Sequence, residues 1–169
     1  MPATQTQDNP AHSRSLGREL AMQFLFQQEL NHCEINEAVF EEFFENSGQS
    51  MDLKQNRYFR KGREYAMTLI NGVLENLKKI DAEVLSRSEK WDLKRMAVVD
   101  LNIMRVAIYE MLFVLEVPPV VSINEAVKIT RDYSGEPSCG FMNGMLNAVK
   151  DSLARLYDLE FAPPAKPTT

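Results

Sequence analysis

Met96-Ala97-Val98-Val99-Asp100-Leu101-Asn102-Ile103-Met104-Arg105-Val106-Ala107-Ile108-Tyr109-Glu110-Met111-Leu112-Phe113 sits in a stretch, 93–115, that contains neither glycine nor proline. Its apolar residues fall on every side of a helical wheel instead of forming one stripe. A helix that is apolar all round has to be covered by others. The spacing therefore predicts a central helix over 93–115 in a molecule built of helices. Pro118-Pro119 ends it, because proline lacks the amide proton and disfavours helix in the residue before it.

Further helices are predicted on both sides. Over 13–31, Leu16, Leu20 and Phe24, with Ala21 and Leu25, repeat at helical spacing, and Ser15 is read as the N-cap. Phe26 and Leu30 extend this helix's apolar surface to a second side. A short acidic helix over 36–46 carries Val39, Phe40, Phe43 and Phe44, and Ser47-Gly48-Gln49-Ser50 is read as its break. Two more follow over 54–76 and 80–86. After the prolines, Ser122-Ile123-Asn124-Glu125 reads as a capping box opening the next helix. Gly135 reads as its left-handed stop, and a last helix spans 138–159. The fold class is all-α, with about seven helices and no strand. Residues 1–12 read as a disordered arm, 13–160 as a single helical domain and 161–169 as a disordered Pro-rich tail.

Composition narrows the function classes. The chain is 44% apolar and 25% charged, as soluble globular proteins are. No run approaches the roughly 20 apolar residues of a membrane span, and 1–10 lacks the apolar core of a secretory signal. Cys33 and Cys139 are too few for a disulfide framework and lack metal-ligand spacing, which suits thiols in a reducing cytoplasm. Neither histidine, His12 or His32, belongs to a catalytic constellation, and there is no phosphate-cradling glycine loop. A non-enzymatic protein without metal or cofactor is expected. The net charge of −5 means that any RNA role uses a local basic patch, a basic partner, or both.

Four features invite a role. Arg105, inside the most apolar helix, needs a hydrogen-bonded partner, and Glu125 is the candidate; both are read as structural, with Ser122. Arg14 and Arg18 lie four residues apart on one helix face, which suits phosphate contact. The other basic clusters, Lys54 with Arg57, Arg60, Lys61 and Arg63, and Lys128 with Arg131, are read as solvated surface, as is the acidic run Glu34, Glu37, Glu41, Glu42 and Glu45. Asn143-Gly144 inside a helix is read first as a close packing contact, because glycine there costs about 1 kcal/mol against alanine. Display of Asn143 beside Phe141 for base contact or stacking is the alternative.

Four stretches in order, Arg18-Glu19-Leu20-Ala21-Met22-Gln23, Arg105 to Glu110, Ile123-Asn124-Glu125-Ala126 and Phe141-Met142-Asn143-Gly144-Met145-Leu146, resemble the NusB family of transcription antitermination factors over about 13–154. The resemblance implies two helical bundles packed on one another. It also implies a factor that binds the boxA element of nascent transcripts, including those of ribosomal RNA operons. The family does so together with NusE, a small-subunit ribosomal protein, and helps RNA polymerase read through terminators. The family's arginine-rich motif corresponds to Ser13-Arg14-Ser15-Leu16-Gly17-Arg18, which keeps two arginines, so RNA binding here is expected to lean on NusE. The implied RNA contacts are Arg14, Ser15, Arg18, Tyr133, Phe141 and Asn143; Gly140 stands where a basic residue is common. The implied NusE contacts are Phe26, Leu30 and Asp100. The alternatives are a protein-only helical adaptor and the RNA-binding module found in ribosomal RNA cytosine methyltransferases, whose catalytic domain this chain is too short to include. Some family members self-associate, so a homodimer stays open.

Overall fold

The computed structural model describes residues 10–50, 56–87, 93 and 96–161, the last seven as backbone only. Most of the expected arm, the expected tail after Phe161, and Lys54 lie outside the described residues.

Helix α5 (Val98–Phe113) is apolar on all sides, and it is covered on nearly all of them: Leu101, Ile103, Met104, Val106, Ala107, Ile108 and Met111 are buried. It packs against α1 (Pro10–Asn31), α3 (Arg57–Glu75), α4 (Leu77–Arg87), α6 (Pro119–Tyr133) and α7 (Glu136–Phe161). α1 and α3 share the most extensive contact, and α6 packs on α7, so two helical groups meet along α5. α2 (Glu37–Ser50) leans on α1 through rings: Phe40 stacks on Phe24 at 4.7 Å and Phe43 meets it edge-on at 5.2 Å. Among the described residues there are seven helices and no strand. The all-α expectation and its paired groups of helices hold.

Glycines set the approach of the first group. A Cβ at Gly17 would lie 2.9 Å from the Gly62 carbonyl oxygen, and one at Gly62 would lie 2.8 Å from the Leu16 side chain. α1 and α3 thus cross at these two glycines, Gly17 lying against Gly62 and the Tyr65 side chain and Gly62 against Leu16.

Several helix ends differ from the sequence reading, each for a local reason. α1 already includes Pro10, Ala11 and His12, which the sequence reading places in the arm, and Ser15 is not a cap. Instead the buried Ser13 hydroxyl donates back to the Pro10 carbonyl at 3.0 Å. α2 runs through Ser47-Gly48-Gln49-Ser50 without breaking, with the Ser47 hydroxyl donating to the Phe43 carbonyl at 2.8 Å in the manner of in-helix serines. α6 begins at Pro119, whose fixed φ and absent N–H suit the first helical position. Ser122 therefore lies inside the helix, and the expected capping box does not form. Gly135, at φ +96°, is the left-handed stop the sequence announced, and its N–H donates to the Thr130 carbonyl at 3.0 Å.

Candidate RNA and protein interface

The helices that carry the candidate interface are held together by a buried polar cluster. Glu110 of α5 is fully buried, which demands donors. It receives them from three other helices: Arg18 Nε from α1 at 3.0 and 2.9 Å to its two oxygens, the Ser122 hydroxyl from α6 at 2.6 Å, and the Tyr65 hydroxyl from α3. Burial and the hydrogen bond to Glu110 push the Tyr65 phenol well above its ordinary range. Ser122 is thus structural, by a route other than capping. Sequence reasoning missed Glu110, although the rule that singled out Arg105 applies equally to a carboxylate in the same apolar helix.

Arg105 does not pair with Glu125. Its guanidinium grips Asp81 of α4 at 2.8 and 3.0 Å, Glu29 of α1 at 2.6 Å and the Asn102 side chain at 3.2 Å. Burial alone would lower its pKa, but the Asp81 and Glu29 carboxylates reverse this and leave it raised. Glu125 stands instead 3.7 Å from Arg18 Nη1.

Arg18 corrects a second expectation. Only 5% exposed and bonded to Glu110, it is no open surface cation beside Arg14. A four-residue spacing puts two side chains on one face, but the face at Arg18 turns inward against α5 and α6. Arg14 keeps about a third of its side chain in solvent, 3.6 Å from Glu116, with its guanidinium 5.3 Å above the Tyr65 ring. Ser15 is half-buried.

At the other end, Tyr133 of α6 reaches α1. Its hydroxyl donates to Glu19 at 2.5 Å and accepts from the Gln23 amide at 2.5 Å, while the ring stays 42% exposed. Burial, then the bond to Glu19, pushes its phenol up to about 12. Asp100 is half-buried and accepts a hydrogen bond from the Ser134 hydroxyl, so the start of α5 is tied to the end of α6. Phe141 and Asn143 lie on the exposed side of α7, where Asn143 Oδ1 accepts from the Asn147 amide at 3.1 Å. A Cβ at Gly144 would meet nothing within 4 Å, so close packing does not explain that glycine.

Phe26 and Leu30, with Leu30 55% exposed, line an open depression of about 530 Å³ together with Val99, Phe43 and Tyr133. Tyr133 is therefore common to the expected RNA edge and the expected protein-binding depression, and Asp100 follows Val99 in sequence. A polar groove of about 460 Å³ continues between α1 and α2, and the exposed Cys33 lines it. Cys139 is buried, with its thiol against the Val127 and Gly135 carbonyls at 3.7 and 3.8 Å. Among the described residues no group of His, Cys, Asp and Glu could hold a metal ion, and no helix is long and apolar enough to cross a membrane.

Comparison with known proteins gives this geometry a family. The profile of the NusB family matches residues 15–151. The transcription antitermination protein NusB of Pelotomaculum thermopropionicum is 39% identical over 140 residues, covering 83% of this chain and 90% of the relative. The solved structure of T. maritima NusB superposes with a TM-score of 0.66 at 34% identity, covering 80% of this chain and 89% of that one. A chain in a structure of the antitermination factors NusB and NusE in complex with double-stranded RNA shares the fold, with a TM-score of 0.66 at 21% identity over 83% of this chain and 97% of that one. Matched over more than four-fifths of its length, the chain belongs to the NusB family.

Proposed function

We propose that this chain is a transcription antitermination factor that binds boxA-type single-stranded RNA of nascent transcripts, ribosomal RNA operons among them, jointly with the ribosomal protein NusE. The observation that carries the reading is the open apolar depression around Phe26 and Leu30, which shares Tyr133 with the RNA edge. An acidic chain with such a depression suits a basic protein partner, and complementary charge speeds encounter more than it tightens the complex. NusE docks on Phe26, Leu30 and the Asp100 region. Arg14, Ser15, Tyr133, Phe141 and Asn143 then meet the RNA, with phosphate contacts setting position and stacking or edge contacts selecting bases. RNA polymerase is reached through this complex, in the cytoplasm, and the chain itself performs no catalysis.

The buried state of Arg18 sharpens the expectation that RNA affinity depends on the partner, because Arg14 is left as the more open cation of the pair. The test is an electrophoretic shift with boxA RNA and a scrambled control, each with and without NusE, over a range of salt. The expected result is a boxA shift that strengthens with NusE and weakens steeply with salt. Indifference to NusE together with equal competition by the scrambled RNA overturns the reading.

A further inference from the structure

Over positions 54–63 the sequence places Lys54, Arg57, Arg60, Lys61 and Arg63 and no acidic residue, in a chain whose net charge is −5. Lys54 lies outside the described residues, and the other four fall in the first two turns of α3. Arg63 serves the fold: it pairs with Glu41 of α2 at 2.5 Å and lies over the Phe44 ring at 4.9 Å. Arg57, Arg60 and Lys61 share a different face, by their spacing of three and four. Arg57 and Arg60 are exposed and Lys61 is half-buried, whereas Phe59, Gly62 and Ala66 on the far side are buried.

Helix stability does not account for this placement. The start of a helix carries partial positive charge, so cations favour the other end. α3 has no acidic residue in its first turn and no basic one in its last, where Glu75 stands. Like charges three and four residues apart also repel. A charge rule broken at both ends of one helix points to function, since local violations concentrate there. Position gives the cluster more than the solvated role its sequence suggests. Past the crossing of α1 and α3, Tyr58 lies beside Glu19: burial first, and then the Glu19 carboxylate, raise its phenol's pKa. The same carboxylate accepts the Tyr133 hydroxyl of α6 at 2.5 Å. Glu19 thus stands between Tyr133, on the expected RNA edge, and the residue that follows Arg57.

We propose that the face of α3 formed by Arg57, Arg60 and Lys61 is a second phosphate track, which grips the backbone of single-stranded RNA flanking the boxA element. Phe59 is buried and Tyr58 half-buried, so the face offers charge without an open ring, and the contact is indifferent to sequence. The track rests on the RNA-binding reading and carries the RNA surface from Tyr133 across the seam of α1 and α3.

The test uses the full chain with NusE and two RNAs, boxA alone and boxA flanked by uridine tracts. Fluorescence anisotropy over a range of salt compares wild type, Arg57→Gln/Arg60→Gln/Lys61→Gln and Arg57→Lys/Arg60→Lys. Wild type is expected to bind the flanked RNA about tenfold more tightly at low salt, with a salt slope steeper by about 2, as three single-strand phosphate contacts give. The glutamine variant is expected to lose both gains, to bind boxA alone as wild type does, and to melt no lower. The lysine variant is expected to keep them, because point charges suffice for phosphate. Equal affinity of wild type for the two RNAs, or a gain that the glutamine variant keeps, overturns the proposal. So does a glutamine variant that melts lower and loses both RNAs equally, for the cations then only hold the fold. Failure of the boxA reading shows separately, as a scrambled core that binds as well as boxA while the flank gain persists.

Discussion

Glu110 and Arg105 lie five residues apart on one helix and divide the polar interior between them. Each is a charge in apolar surroundings, and each gathers partners from other helices: Glu110 from α1, α3 and α6, Arg105 from α1 and α4. Arg105→Ala would strand the Asp81 and Glu29 carboxylates. It is expected to lower unfolding stability by about 2–3 kcal/mol, less than the roughly 3–5 kcal/mol of a fully buried pair because Glu29 is open to water. Urea denaturation reads this directly, and an unchanged midpoint contradicts it. Tyr133 gives a pH prediction. Its folded pKa of about 12 lies above the ordinary 10, so its contribution is complete below pH 10 and disappears as pH rises through 12. Stability should fall over that window, and Tyr133→Phe should flatten the fall in melts recorded from pH 9 to 12.

Helices differ in how closely they approach, and the glycines record it. Gly17→Ala would press a methyl against the Gly62 carbonyl and the Tyr65 ring, both at 2.9 Å, and is expected to cost about 1–3 kcal/mol. Gly144→Ala meets empty space inside α7 and is expected to gain about 0.5–1 kcal/mol from helix propensity. Opposite shifts in melting temperature check the pair; a loss at Gly144 would contradict the open environment. These glycines also show what was legible. Periodicity found the helices because an apolar stripe repeats with the helical turn, and Gly135 announced itself by needing positive φ. The end of α2 was hidden because Ser47 can use its own helix's carbonyl, and the start of α6 because Pro119 serves as a first residue as well as a stop. Arg18 was misread because helical spacing tells which residues share a face, not whether that face meets water. Its partner Glu110 lies 92 residues away in sequence.

For the molecule as a whole, the acidic net charge and the depression between α1, α5 and α6 belong to one argument. Leu30→Asp places a charge on a side chain that is already 55% exposed. Stability should therefore stay within about 0.5 kcal/mol, while capture of NusE is lost in a pull-down. Retained capture would move the docking surface elsewhere. Association of the wild-type pair should slow as salt rises, read as a falling on-rate by surface plasmon resonance.

The unequal burial of the two thiols has a practical use. Cys33 is exposed on the groove that adjoins the Phe26 and Leu30 depression, whereas Cys139 is sealed under α6. A maleimide fluorophore added to the untouched wild-type chain is therefore expected to label one position and to place its dye beside the proposed docking depression, where arrival of the ribosomal protein would change the emission.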